Sequence, residues 1–391
     1  MRLARDDRSI VAEWWFSIDR LLLAVVLVLI GVGIVLSLAA SPAVATRKGL
    51  PTFFFVERHL VFAAIGIILM LAVSLLEPRN VLMLAGGVLA ASLVLMLVAT
   101  FYGPEVNGAR RWVRFAGFSL QPSEFAKPAF AVVTAWLFAE ARARRGTGMV
   151  PLAIGLYVVT SVLLLMQPDV GQWFLLTVVW GALFFISGQP LLWAMAFGSL
   201  GLSGFVAAYM TFAHVRGRIA RFLDPASGDT FQTDRAIQSF AEGGFFGRGP
   251  GEGTIKSVLP DAHTDFIFAV VAEEYGAIAC LLLLGLYAFV VARALTRHRH
   301  RRDPFTQLAV HGLALLIAMQ AAINMAVNVG LIPAKGMTLP FISAGGSSML
   351  AASLAAGMLL ALVRRRADPM PMGRPKVAST LPPIGRNGRR R

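Results

Sequence analysis

A chain of 391 residues that is 57 % hydrophobic and only 15 % charged falls well short of the roughly 25 % charge of soluble domains. A Lys, Arg or Asp at the centre of a membrane helix costs roughly 2.5–3.5 kcal/mol, so the deficit is what a chain dissolved mostly in hydrocarbon shows. The net charge of +15 would suggest nucleic acid in a soluble protein, but here it sits in loops and tails, and no nucleic-acid partner is expected. The single cysteine, Cys280, lies in an apolar run, which excludes a disulfide framework and a Cys-ligated metal site. It reads as a small lipid- or core-facing residue.

The first apolar run, Leu21–Ala40, precedes Ala43-Val44-Ala45, a signal-cleavage-like string. At about 20 residues it is a full bilayer span, so a retained helix is expected. Further runs follow at Leu60–Leu76, Val81–Thr100, Pro122–Ala139, Val150–Met166 and Val170–Ser187. Others lie at Pro190–Phe212, Phe266–Leu295, Leu308–Leu331 and Gly345–Val363. Backbone polar groups in lipid must be satisfied within their own segment, so the expectation is an all-α polytopic membrane protein of about ten helices.

The basic residues Arg2, Arg5, Arg8, Arg20, Arg142, Arg144 and Arg145, the Arg293–Arg302 cluster and the tail from Arg364 favour both termini in the cytoplasm. The division expected is a cytoplasmic N-terminus at 1–20, a transmembrane domain at 21–366 and a disordered basic tail at 367–391. One long outer loop, 213–263, interrupts the helices. Arg110, Arg111, Arg114, Arg216, Arg218, Arg221 and Lys256 then fall on the outer face, against the positive-inside trend. No internal repeat suggests an inverted-repeat transporter.

Four polar strings interrupt the apolar pattern. In Gln121-Pro122-Ser123-Glu124-Phe125-Ala126-Lys127, proline suits a first helical position and Glu124 and Lys127 share one helix face. Asp169 of Gln167–Gly171 either caps a helix or serves a site. In Leu259–Ala269, Asp265 opens a long apolar helix, with Glu273 and Glu274 about 12–14 Å deeper along it, while His263 stands in the preceding loop. Pro340–Ser348, with Ser343 and Ser347, is either an anion-binding segment or a capped turn. Ionisable residues at membrane depth are functional hypotheses by default, and these acids gather toward the outer half beside outward arginines. The residues by themselves lead to a polar, phosphate-binding site on the outer face.

The four strings, in this order and spacing, resemble those of the SEDS family (shape, elongation, division and sporulation) over nearly the whole chain. Gly247-Arg248-Gly249-Pro250-Gly251 and Asn324–Gly336 also look like family segments, and Leu259–Ala269 looks more like the cell-division branch than the elongation branch. The sequence departs from the family at Ala344, where tyrosine is usual. The resemblance implies a peptidoglycan glycosyltransferase of the bacterial inner membrane that polymerises lipid II at the septum, releasing undecaprenyl diphosphate. It implies Asp265 as the essential carboxylate, a catalytic base or a metal ligand for a divalent cation (Mg or Mn), with no organic cofactor. Arg110, Arg111, Arg114, Lys127, Arg216 and Arg221 are then candidates for diphosphate contacts; Glu124, Asp169, His263, Ser343 and Ser347 complete the expected binding set. The implied partners are a class B penicillin-binding transpeptidase and other division membrane proteins. A lipid II flippase and a non-enzymatic scaffold are the alternatives; the outward acids favour the enzyme.

Overall fold

The computed structural model describes residues 10–364, apart from 107, 116–117, 145–147, 299–302, 334–335 and most of 190–230. After a short helix α1 (Ile10–Ser17), Asp19 caps α2 (Arg20–Arg47), its carboxylate accepting the Leu22 N–H at 3.0 Å. There follow α3 (Phe54–Ser74), α4 (Pro78–Tyr102), α5 (Pro122–Ala143), α6 (Met149–Met166) and α7 (Val170–Ile186). After the incompletely described stretch come α8 (Phe231–Gly243), α9 (Ile267–His298), α10 (Pro304–Asn328) and α11 (Gly346–Val363). Proline opens α4, α5 and α10, where its missing N–H costs no helical bond.

Seven helices among the described residues, α2, α3, α4, α6, α9, α10 and α11, are long and apolar enough to cross a membrane. α7 is apolar but one residue shorter than α6, and α5 carries Glu124 and Lys127 in its first two turns. The expected span at 190–212 lies largely outside the described residues, as do Arg218, Arg221 and the tail from 365. Ala43-Val44-Ala45 sits inside α2, with Val44 and Ala45 fully buried.

The centre of the bundle is built from α5, α10 and α11. The most apolar stretch of α11 is 78 % buried and that of α10 67 %, against 28 % for α4 and α6, which face the surroundings. Association in lipid relies on close packing, and small residues allow it. A Cβ on Gly357 of α11 would stand 2.8 Å from the Met70 carbonyl of α3, and one on Gly66 of α3 2.5 Å from Ser353 Oγ of α11.

The two ends of the bundle differ. At one, Asp19 receives Arg293 Nε at 3.0 Å and Arg297 Nε at 2.6 Å, and Arg364 reaches Ser17 Oγ and the Ser74 and Leu75 carbonyls. Burial alone would raise the Asp19 carboxyl, but the Leu22 N–H and the two arginines hold it below its ordinary value. The opposite end, marked by Asp265, gathers the connections 103–121, 244–266 and 329–345. In the first of these Val113–Phe115 (β1) pairs antiparallel with Phe118–Leu120 (β2), a small ribbon that the all-α expectation did not include.

The apolar run expected as one helix from Phe266 to Leu295 is broken. Gly276 has φ +78° and ψ −179°, dividing α9 into 267–275 and 277–298. At 1.5 Å per residue the second part spans about 33 Å by itself, a whole hydrocarbon core. The first part therefore lies at the Asp265 end, and Glu273 and Glu274, expected deep along one continuous span, belong to that end instead. The turn 243–249 caps both parts at once. Ala277 and Ile278 donate to the Gly244 and Phe245 carbonyls, while Arg248 and Gly249 donate to the Glu273 and Glu274 carbonyls. Orphan groups of two helix ends are thus satisfied by one turn.

Candidate active site

At the Asp265 end a cavity of about 520 Å³ opens between α5, α7, α9 and the connections. Among the described residues, its charged lining is Arg111, Glu124, Asp169, Asp261 and Asp265, with Gln121, Thr264, Thr338, Ser347 and Ser348 between them. Glu124, Asp169 and Asp265 stood out in the sequence, and Asp261 lay inside one of its polar strings. The fold brings them together because α5 and α7 begin here, α9 begins here, and α10 ends here.

Asp265 is fixed by its backbone. Its carbonyl accepts the side-chain amides of Asn324 at 2.8 Å and Asn328 at 2.9 Å, both buried at the end of α10. Asn328 also accepts the Ala269 N–H at 3.0 Å, and Asn324 donates to the Met337 carbonyl at 2.6 Å. These two amides tie the start of α9 and the 336–339 segment to one helix end. The carboxyl itself borders the cavity, and burial, reinforced by the Asp261 and Glu124 charges, pushes it up to about 7. Gly336, at φ +63°, leaves room beside it: a Cβ there would lie 3.5 Å from Asp265 Oδ2.

Glu124 and Lys127 form a contact at 2.9 Å, both buried. Gln172 of α7 donates to the other Glu124 oxygen, and Lys127 also donates to Gln320 of α10 at 3.1 Å. Glu124 thus lines the cavity while Lys127 is turned into the bundle, satisfied by two acceptors. Asp169 does both things its position allowed: it caps α7 through the Gln172 N–H at 3.4 Å and borders the cavity. Burial raises its carboxyl, opposed by Arg111 at 3.6 Å. Arg111 further donates to the Gln167 and Pro168 carbonyls at 2.8 and 2.7 Å.

Other expected site residues lie elsewhere. Arg110 is exposed and reaches Glu105 at 3.7 Å; Arg114 is exposed on β1, and the exposed Arg216 bonds the Met210 carbonyl at 3.5 Å. None of the three is in the cavity lining, and Arg221 falls outside the described residues. His263 is buried with its ring 4.5 Å from that of Phe55, and burial together with Lys48 lowers its pKa to about 4. Ser343 is a staple: its hydroxyl donates to the Thr264 carbonyl at 2.6 Å and accepts the Leu339 N–H at 2.8 Å. Ser347 does line the cavity, accepting the Gln121 N–H at 3.0 Å.

Sequence reasoning did not assign Asp261, Thr264, Gln121 or Trp112 to the site. Asp261 and Gln121 were visible inside the polar strings; Trp112, beside the arginine pair, carried no signal of its own. Gln232 reaches the cavity only through α8, which nothing in the apolar pattern announced.

Membrane-crossing helices around a cavity lined, among the described residues, by four carboxylates and one guanidinium define a polytopic membrane protein built about a charged chamber. A family model described as a cell cycle protein, of the FtsW/RodA/SpoVE type, matches residues 19–368. The chain is 48 % identical over 364 residues to the probable peptidoglycan glycosyltransferase FtsW of Caulobacter vibrioides, covering 93 % of each. It is 36 % identical over 351 residues to the one from Trichlorobacter lovleyi, covering 88 % of this chain and 92 % of that one. Among solved structures it is similar to a chain described under the structural coordination of polymerization and crosslinking by a peptidoglycan synthase complex. That similarity has a TM-score of 0.75 at 27 % identity, over 89 % of this chain and 98 % of the other. The rod shape determining protein RodA of Thermus thermophilus gives 0.65 at 26 % identity, over 89 % and 97 %. The chain belongs to the FtsW/RodA/SpoVE family, the SEDS proteins, and these curated relatives are of the FtsW branch, as the 259–269 segment suggested.

Proposed function

We propose that the protein is a peptidoglycan glycosyltransferase that polymerises lipid II at the outer face of the bacterial inner membrane during septal wall synthesis. The observation that carries this reading is Asp265: a carboxyl held by its backbone, bordering a large polar cavity, with its pKa moved to about 7. A carboxylate so tuned suits a general base working near neutral pH. In the reaction the acceptor sugar's 4-hydroxyl oxygen bonds to the donor's anomeric carbon, and Asp265 takes the hydroxyl proton. The bond from that carbon to the phosphate oxygen breaks, and undecaprenyl diphosphate leaves with the electron pair.

The leaving diphosphate requires positive charge. Arg111 supplies the guanidinium of the described lining, against four acidic groups. Among the described residues no three His, Cys, Asp or Glu side chains come together as a metal site. A divalent cation nevertheless fits the chemistry of this donor set, since Mg commonly binds through one or two carboxylates plus substrate phosphates. In the alternative to its role as base, Asp265 would hold the cation with Asp261, and the cation would neutralise charge on the diphosphate. Arg110, Arg114 and Arg216 are better placed to attract the anionic headgroup from solvent than to touch the reacting bond.

The basic Asp19 end is the cytoplasmic side in this reading, and both termini lie there. A class B penicillin-binding transpeptidase is the expected partner, alongside other division proteins. A flippase carrying lipid II across would need acidic or polar footholds in both halves of the bundle. The break at Gly276 moves Glu273 and Glu274 to the outer end, which favours the enzyme over the transporter. The test is detergent-solubilised protein with lipid II, the transpeptidase and a divalent cation. Sides do not exist in detergent, so transport has no meaning, yet glycan strands should form and be visible on a gel. Transport of lipid II by the protein in vesicles, with no strands under any partner or cation condition, would support the flippase instead.

A further inference from the structure

The turn between α8 and the first part of α9 carries two large, exposed aromatic side chains. Phe245 is 74 % exposed and Phe246 83 % exposed. Between them and α9 the backbone is locked. Gly276 would place a Cβ 2.3 Å from the Phe245 carbonyl, and Gly247 would place one 2.2 Å from the Glu274 carbonyl, so neither position admits a side chain. The two rings are therefore held at the top of the 277–298 segment, the end of a span of about 33 Å. Just below, Ile278, Leu281 and Leu282 are 43 %, 66 % and 66 % exposed, an apolar strip facing lipid along the same helix. The Ile278 N–H donates to the Phe245 carbonyl, so the aromatic pair adjoins the end of this strip.

We propose that Phe245 and Phe246 insert into the acyl–headgroup boundary of the outer leaflet and anchor the 243–257 segment to the membrane surface. Phe, like Trp and Leu, forms the buried face of elements that lie in that boundary, and continuity with the apolar strip of α9 identifies lipid as the occupant. Charged neighbours frame the pair: Arg248 bonds Glu242, as an interfacial element with a polar side requires. The anchor has a consequence for the site. Glu273 accepts the backbone N–H groups of Thr254, Ile255 and Lys256, and Lys256 pairs with Glu274. The anchored turn is thereby joined to the segment that leads into Asp261 and Asp265. The inference rests on the membrane fold and not on the reaction.

Spin labelling tests it independently of activity. In full-length protein with Cys280→Ser, a nitroxide on Phe246→Cys is examined in phosphatidylethanolamine–phosphatidylglycerol vesicles by power saturation. Leu282→Cys serves as the lipid control and Glu105→Cys as the aqueous one. The expected result is greater access of molecular oxygen than of a water-soluble nickel chelate at 246, as at 282. Greater access of the chelate, as at 105, would overturn the proposal and leave the pair as a docking surface for a soluble partner. If the Phe246→Cys protein does not insert, Phe245→Cys gives the same readout with the same two outcomes.

Discussion

The Asp265 carbonyl accepts two buried amides while its carboxyl is crowded by other acids, and these opposed environments explain how one residue can be rigid and reactive. Its raised pKa also has a sign for stability. Between the ordinary carboxyl value of 3.8 and about 7 the folded chain holds this proton more tightly than the unfolded one, so the contribution of Asp265 to stability falls as pH rises. Asp265→Asn removes that dependence. The variant is expected to melt in detergent no lower than the parent at pH 8; a marked loss of melting temperature there would mean that the carboxylate caps α9 and stabilises the fold. Glu124 and Lys127 behave oppositely, each satisfying the other inside the bundle. Removing one partner alone should cost roughly 3–5 kcal/mol, because it strands a buried charge. The double variant should lose much less than the sum, as a double-mutant cycle on thermal unfolding would measure. Simple additivity would show that the contact at 2.9 Å carries no coupling.

Among the elements, α9 departs most from its sequence. Phe266–Leu295 reads as one apolar run because a single glycine within a helical pattern is weak evidence of a break. What makes Gly276 a break is the 243–249 turn, whose capping bonds join residues 25 or 33 positions apart. Gly276→Ala should strain the positive φ and press a methyl group on the Phe245 carbonyl, costing roughly 2–4 kcal/mol. Thermal unfolding in detergent checks this, and an unchanged midpoint would show that the break is not needed. Other elements were plain to read. The starts of α5 and α7 followed from Pro122 and Asp169, and the four polar strings do meet at one end. The arginines were harder: charge counted by connection does not reveal that Arg111 turns inward to the Gln167 and Pro168 carbonyls while Arg110 and Arg114 remain exposed. His263 and Ser343 likewise stood in the right string, but their side chains fasten the loop rather than face the cavity.

At the scale of the whole molecule, a basic end clamped by Asp19 and an acidic chamber at the other end give the bundle its polarity. The orientation can be measured with Cys280→Ser protein carrying either Glu105→Cys or Arg144→Cys, which lie at opposite ends. In intact spheroplasts an impermeant maleimide should label the first and not the second; the reverse would place Asp265 on the cytoplasmic side. The central claim, that the Asp265 carboxylate takes the acceptor's proton, is tested most directly by the pH dependence of glycan-strand synthesis in detergent. A base must be ionised, so the parent's rate should be low below about pH 7 and rise through that value. The folded Asp265→Asn protein should give no strands at any pH. Strand synthesis by Asp265→Asn at the parent's rate, with the same rise through pH 7, would contradict the account.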